Sequence, residues 1–183
     1  MANEKLKFKI ELYSTFWDKS PNITVQVKEQ KNTDDSKNYF DYDSNKPIIN
    51  FNPSYFSGDV LGTEKEPTVI EFEHFCEEGK KYELILTRSG KDVKQTIIDS
   101  NGNIKKDQLV FIKSIEIDEI DIGSLVYEGI YTPIYPQPWY SQQVKAGTIP
   151  PKSFKNVTSM GHNGTWVLGF QSPFYMWLLE NLY

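Results

Sequence analysis

The sequence predicts a mainly β protein: a jelly-roll-like antiparallel β-sandwich with a long polar insertion and a short C-terminal helix. Three observations lead to this fold class. About seven short segments alternate apolar and polar residues, turn-forming residues separate them, and a helical pattern occurs at the C-terminus. With 183 residues the chain can bury one core, so we expect a single domain over residues 1–183.

The first two predicted strands lie within the first thirty residues. From Leu6 to Leu12 every second residue is apolar and the residues between are Lys or Glu, which is the pattern of a strand with one buried face. Ile23–Val27 alternates in the same way. Because Asp18–Asn22 has turn-forming residues, we expect the two strands to pair as a hairpin.

A loop-rich insertion is predicted over residues 30–66, where Asn, Asp, Ser and Lys dominate. Within it, residues 47–51 could form one short strand. After the insertion, Thr68–Phe75 and Lys80–Arg88 alternate again and are separated by a short turn. This spacing predicts a second hairpin.

The strands of the second half are less regular. Further strand segments are predicted at Gln95–Ile98, Leu109–Ile117, Ile120–Tyr127 and Gly164–Phe170. Leu109–Ile117 is apolar on both faces in its first half, which indicates a central strand. Asp118-Glu119 is predicted as a turn, and Asn163-Gly164 as the tight hairpin turn that leads into the last strand.

The terminal helix is predicted over residues 172–183. Ser172 can cap the helix, and Pro173 suits its first position. At helical spacing, one face of this segment contains Phe174, Trp177, Leu178 and Asn181.

Residues 128–160 are predicted to form an extended strap rich in proline and aromatic residues. Prolines 133, 136 and 138 favour a polyproline-like conformation. Along it, Tyr135, Trp139 and Tyr140 could stack on sugar rings or dock on a partner protein. The alternative is that these rings clamp the strap onto its own sandwich.

Charge and cysteine content restrict the class of partner. The formal net charge is −5, and the lysines are scattered among acidic residues, so nucleic acid is not an expected partner. The N-terminus lacks the apolar core of a signal peptide and no apolar run reaches membrane-spanning length, so we expect a soluble protein without a membrane partner. Cys76 is the single cysteine, which excludes an intrachain disulfide, and we expect it to be buried or idle.

No catalytic constellation is evident. The two histidines, His74 and His162, lie in a predicted strand and a predicted turn, and neither is near a nucleophile motif. A glycosidase would need two carboxylates within about 10 Å across a cleft, and sequence does not set that separation. We therefore predict a non-enzymatic protein with no certain cofactor.

Calcium is the one metal that the sequence suggests. Asp99, Asn101, Asn103 and Asp107 supply side-chain oxygens of the kind that calcium prefers. The spacing does not match the helix–loop–helix calcium motif. A plain turn is the alternative for this segment.

Two parts of the chain resemble a known family. Residues 84–90 and 107–122 resemble the calcium-dependent, xylan-binding-type carbohydrate-binding modules, which are jelly-roll domains that include uncharacterised proteins of tailed bacteriophages. Residues 131–139, 161–166 and 172–177 look like the phage versions in particular. The family holds calcium through clustered aspartates in a C-terminal loop, whereas this chain has no aspartate after Asp121.

The resemblance implies a non-enzymatic structural component of a bacteriophage virion, made in the host cytoplasm and exposed on the particle or decorating its capsid. Its expected partners are other proteins of the capsid, neck or tail, or further copies of itself. The alternative that the resemblance implies is a carbohydrate-binding module, with or without calcium, that attaches to polysaccharides on a bacterial surface.

Overall fold

The computed structural model describes residues 2–30 and 55–182. In chain order its strands are β1 (Asn3–Thr15), β2 (Asn22–Glu29), β3 (Phe56–Asp59), β4 (Thr68–Glu77), β5 (Lys81–Ser89), β6 (Ile97–Ile98), β7 (Ile104–Lys106), β8 (Leu109–Ile117), β9 (Ile120–Asp121), β10 (Ile130–Ile134), β11 (Phe154–Lys155), β12 (Ser159–Met160) and β13 (Asn163–Gln171). The helices are α1 (Trp139–Lys145) and α2 (Phe174–Asn181), and two 3-10 helices span Val93–Gln95 and Gly123–Glu128.

Two antiparallel sheets form a β-sandwich, which confirms the predicted jelly-roll-like fold class. The first sheet has the order β12-β8-β1-β4 with β9 beside β8, and the second has the order β11-β10-β13-β5-β2-β3. A separate ribbon joins β6 to β7. The core lies between the two sheets: Phe8 of the first sheet packs on Phe170 of the second with ring centroids 5.8 Å apart.

Strand alternation predicts the buried face of β1 correctly. Leu6, Phe8, Ile10 and Leu12 are all buried, and the lysines and glutamate between them lie on the outer face. On that outer face, Lys9 pairs with Glu116 at 3.1 Å. The pattern works because successive side chains of a strand point to opposite faces of its sheet.

The two predicted hairpins are wrong. β1 pairs with β4 and β8, whereas β2 pairs with β3 and β5 in the opposite sheet. The chain likewise crosses between sheets from β4 to β5. Alternation identifies which face of a strand is buried but not which strand lies beside it. In a sandwich, two consecutive strands can bury their apolar faces against each other across the core.

Most of the predicted insertion falls outside the described residues. Residues 31–54, which include the short strand expected at 47–51, are not described. In the described remainder, β3 pairs with the outer edge of β2. A turn follows in which Thr68 Oγ1 accepts a hydrogen bond from the Gly62 backbone N–H at 2.9 Å.

The segment 128–160 is not an extended strap. It contains β10, α1, β11 and β12. Pro133 lies within β10, and Pro138 directly precedes α1. The fixed φ of proline suits a helix start as well as an extended chain, and residues 141–146 include Gln, Lys and Ala, which are good helix formers.

The tight turn predicted at Asn163-Gly164 is also absent. Both residues belong to β13, where Gly164 pairs with Pro133 on one side and Arg88 on the other. Gly164 has φ +151°, and a Cβ at this position would lie 2.2 Å from the carbonyl oxygen of Thr132. The glycine is required by the close approach of β10, not by a hairpin.

The turn predicted at Asp118-Glu119 is confirmed, since both residues have positive φ and join β8 to β9.

The terminal helix is confirmed within the predicted range, but its cap is different. Phe174 and Leu178 are buried and Asn181 is exposed. The Ser172 backbone N–H donates to Lys80 O at 3.0 Å, and its side chain caps nothing. Instead, Glu4 from β1 accepts a hydrogen bond from the Phe174 backbone N–H at 2.9 Å. A carboxylate from a distant strand therefore satisfies the start of α2.

A buried arginine connects the two sheets at one end of the sandwich. Arg88, at the end of β5, is 1% exposed. Its guanidinium donates to Met160 O, to Gln108 O at 2.6 Å and to Gln108 Oε1 at 2.9 Å. Met160 ends β12 and Gln108 precedes β8, so these bonds connect the second sheet to the first. Burial lowers the pKa of Arg88 to about 10, which leaves the side chain charged at neutral pH. We call this region the Arg88 end.

We predict that Arg88→Met lowers the free energy of unfolding by about 3 kcal/mol, because the carbonyls of Gln108 and Met160 lose their donor inside the core. Urea denaturation followed by tryptophan fluorescence measures the change. Lys81→Met, at the exposed opposite end of β5, is the control and should shift stability by less than about 0.5 kcal/mol. Equal stability of the two variants would contradict the role of Arg88.

We also predict that Gly164→Ala lowers the free energy of unfolding by about 2–3 kcal/mol, because the new Cβ forces β10 away from β13. Gly169→Ala is a matched control on the same strand, since a Cβ there meets no atom within 4 Å. The control should change stability by less than about 0.5 kcal/mol. Chemical denaturation of both variants decides between a steric requirement and a general preference for glycine in β13.

Candidate functional site

The structure brings together the three aromatic residues that were predicted to bind a ligand. The Tyr135 ring stacks on Tyr140 at 5.8 Å between centroids, and it lies 5.5 Å from Trp139. Trp139 and Tyr140 begin α1, while Tyr135 lies in the connection from β10 to that helix. The helix therefore folds the two rings back toward Tyr135, which an extended strap would not do.

His162 belongs to the same group of rings, although the sequence predicted only a turn residue. Its ring meets Tyr135 edge-on at 5.1 Å and lies 5.7 Å from Trp139. We call Tyr135, Trp139, Tyr140 and His162 the aromatic cluster. The sequence signal that could have found His162 is its place directly before a strand that pairs with β10, but that pairing is a tertiary fact.

Hydrogen bonds to the backbone hold the cluster in place. The Tyr131 hydroxyl donates to His162 O at 2.6 Å and accepts from the His162 backbone N–H at 2.9 Å. The Tyr135 hydroxyl donates to Pro151 O at 2.7 Å, which ties the loop after α1 to the cluster. Tyr135 and Tyr140 are partly exposed, and Trp139 is 37% exposed. The cluster is thus a fixed aromatic surface that solvent can reach.

A polar network lies below the cluster at the Arg88 end. Lys91 Nζ pairs with Asp107 Oδ1 at 2.6 Å and donates to Gly161 O at 2.5 Å. Asn163 exchanges two hydrogen bonds with the backbone of Lys91, at 2.9 and 3.0 Å. These contacts fix the two residues on either side of His162.

The electrostatics of this region favour an uncharged histidine. Burial lowers the pKa of His162, and the positive charges of Lys91 and Arg88 lower it further, while Asp107 opposes the shift. The imidazole is therefore neutral at pH 7 and behaves as another flat ring of the cluster. Burial also raises the pKa of the Tyr131 hydroxyl to about 12, so it remains a hydrogen-bond donor.

The four residues predicted to bind calcium are not brought to one place. Asp99, Asn101 and Asn103 form the tip of the β6–β7 ribbon. Asp99 Oδ1 accepts from the backbone N–H groups of Asn101 and Asn103, both at 2.9 Å, and Lys105 pairs with its Oδ2 at 3.2 Å. These bonds lower the pKa of Asp99. They are typical of a plain turn, which was the alternative to a calcium site in the sequence analysis.

Asp107 lies at the opposite end of the same ribbon. Its Oδ1 accepts from Thr96 Oγ1 at 2.8 Å in addition to Lys91. Thr96 precedes β6 and Asp107 follows β7, so the length of the ribbon separates this carboxylate from Asp99. In residues 2–30 and 55–182 there is no group of three or more His, Cys, Asp or Glu side chains that could hold a metal ion. The geometry thus gives no support to these four residues as joint ligands.

The other histidine lies at the far end of the sandwich. His74 Nδ1 is hydrogen-bonded to the Tyr55 hydroxyl, and burial lowers its pKa. It borders an open pocket of ≈ 340 Å³ that is also lined by Asn3, Glu29, Phe75, Glu77 and Tyr82. Lys80 pairs with both glutamates of this pocket, at 3.2 and 2.7 Å. The geometry of this pocket does not test the predicted absence of enzymatic activity, which stays a prediction.

Cys76 is buried, as predicted, and burial raises the pKa of its thiol to about 12. The thiol is therefore protonated and unreactive at neutral pH.

Across the described part of the chain, no helix combines the length and the apolar character needed to cross a bilayer.

Comparisons with known proteins add little to this geometry. No family model matches the chain, and no curated protein matches it in sequence. One solved structure, a selenomethionine form of the calcium-dependent carbohydrate-binding module vCBM60, aligns with 90% of this chain and 90% of its own length. The sequence identity is 6% and the TM-score is 0.44. At that TM-score the likeness is too weak to assign a family, and the β-sandwich is established by the strands themselves.

Proposed function

We propose that this chain binds carbohydrate through the aromatic cluster. The observation that carries the proposal is the exposed Trp139 ring, which is held against Tyr135 and His162 at the Arg88 end of the sandwich. Flat aromatic rings with apolar faces match the C–H faces of pyranose rings, and polar groups at their rim can bond to sugar hydroxyls. This function is the alternative that the sequence suggested.

The position of the cluster supports the same proposal. Tyr135 and His162 lie in connections and Trp139 and Tyr140 in the first turn of the short helix α1. The residues that fix these rings belong to the sheets and to the polar network of Lys91, Asp107 and Asn163. Binding surfaces of this kind are common, because a rigid scaffold positions loops that make the contacts. Because these rings are already held in place, they would lose little conformational entropy when a ligand binds.

Glycan-array screening with added calcium, and again with a chelator, tests the proposal directly. Binding to any glycan in either condition supports it, and comparison of the two conditions measures the contribution of calcium. The absence of binding in both conditions would remove the proposal.

We predict that Trp139→Ala weakens binding to the best array ligand by about tenfold or more, which corresponds to about 1.4 kcal/mol, because the exposed stacking face is lost. Isothermal titration calorimetry gives the dissociation constants. Phe75→Ala is the control, since Phe75 is also an exposed aromatic residue but lies at the opposite end, beside the His74 pocket. It should bind as the wild type does. Equal losses in both variants would argue against the cluster as the site.

A second candidate function is a structural role in a bacteriophage virion. The observation that favours a protein partner is the outer face of α2, whose exposed apolar side chains are Tyr175, Met176 and Leu179, with exposed Leu182 directly after the helix. Adjacent exposed apolar side chains are typical of surfaces that other proteins cover. Mass spectrometry of purified particles tests the virion assignment, which absence of the chain from them would exclude.

We predict that, if copies of this chain associate through α2, Leu179→Lys shifts the mass in solution toward that of a monomer, because a charge disfavours an apolar interface. Multi-angle light scattering after size-exclusion chromatography measures the mass. Lys145→Leu leaves α2 unchanged and serves as the control. A wild-type protein that is monomeric at all concentrations would show that α2 does not mediate self-association.

A further inference from the structure

Charge is distributed unevenly along the chain. The whole chain has a formal charge of −5, yet residues 129–179 contain three lysines and no Asp or Glu. This segment includes Tyr135, Trp139, Tyr140 and His162, the four members of the cluster. The site therefore lies in a part of the chain whose charge is opposite in sign to that of the whole.

The three lysines are available to a ligand. Lys145, Lys152 and Lys155 are exposed, and none takes part in an ion pair with the residues that the structure describes. Lys152 follows Pro151, whose carbonyl accepts the hydrogen bond from the Tyr135 hydroxyl. Because consecutive Cα atoms are about 3.8 Å apart, the backbone of Lys152 is held next to the cluster.

The buried polar network at the Arg88 end also contributes positive charge near the aromatic cluster. The Lys91 ammonium is paired with Asp107, but the Arg88 guanidinium donates only to neutral acceptors, Met160 O and the two oxygens of Gln108. Asp107 also lies near enough to Arg88 to raise the pKa of the guanidinium, so two buried cations share one carboxylate and the network has a net positive charge. A charge in the low-dielectric interior is screened less than one at the surface, so it contributes to the field at the cluster.

We propose that the ligand of the aromatic cluster is an anionic polysaccharide, in which sugar rings stack on Trp139 while carboxylate or phosphate groups pair with Lys152 and Lys145. This inference rests on the proposed carbohydrate binding and adds the chemical class of the glycan. Carboxylates of uronic acids and phosphates of teichoic-acid polymers share the anionic oxygens that lysine recognises. Lys145 also stabilises the C-terminus of α1, so Lys152 is the cleaner position for a variant.

The test uses the full chain and three polymers: polygalacturonate, its fully methyl-esterified form and poly(glycerol phosphate) that carries glucosyl substituents. The acid and its ester share one backbone and differ in charge. We expect the acid to bind at least about fivefold more tightly than the ester at about 50 mM salt, and we expect most of this difference to disappear at about 500 mM salt. Tighter binding to polygalacturonate or to the glucosylated poly(glycerol phosphate) identifies which anion is preferred, and either result supports the inference.

Two variants locate the effect. Lys152→Gln should weaken binding of the preferred anionic polymer by about two- to fivefold without changing affinity for the ester, as expected for an exposed ion pair. Lys81→Gln removes the same charge at the opposite end of β5 and should have no effect. Thermal melting of both variants checks that they remain folded.

The outcomes separate this inference from the proposed function. Equal affinity for the acid and the ester, with Trp139→Ala still weakening both, overturns the anionic ligand and leaves carbohydrate binding intact. Binding of neutral array glycans without binding of any of the three polymers does the same. The absence of all glycan binding overturns both.

Discussion

The end of the molecule that contains the aromatic cluster depends on the hydrogen bonds of the buried Arg88 guanidinium. A charge that is withdrawn from water costs several kcal/mol unless hydrogen bonds replace its hydration. Here the replacement comes from carbonyl oxygens of the opposite sheet, at Gln108 and Met160. The end of β5 must therefore lie against the start of β8 and the end of β12, and the two sheets are fixed relative to each other at this point.

The fixed sheets determine where the next residues along the chain can go. Beyond β12, Gly161 and His162 pass over the Arg88 end, and beyond β5, Lys91 meets Gly161 and Asn163. Tyr131 holds the His162 backbone from the neighbouring strand. The Tyr135 hydroxyl in turn bonds to Pro151 O. The aromatic cluster is thus positioned by hydrogen bonds that involve the backbone of Gly161, His162 and Pro151, which gives this surface a defined shape.

The segment that contains the aromatic cluster differs in charge from the chain as a whole. Exposed charges influence one another over about a Debye length, which is near 10 Å at 0.1 M salt. The acidic residues that give the chain its charge of −5 lie outside residues 129–179 in sequence, and Asp107, which contacts the network below the cluster, is paired with Lys91. The segment that contains Trp139 therefore takes its charge from Lys145, Lys152 and Lys155 alone.

The sequence by itself determined which residues of the clearest strand and of the terminal helix face the core. The alternation of β1, the turn at Asp118-Glu119 and the burial of Phe174 and Leu178 could all be predicted, because each depends on local periodicity or side-chain chemistry. Only the tertiary structure decided which strands pair, why Gly164 is a glycine, that Glu4 caps α2 and that His162 joins the cluster. It also separated Asp107 from Asp99. The physical reason is that these features depend on contacts between residues far apart in the chain, and local patterns carry no information about those contacts.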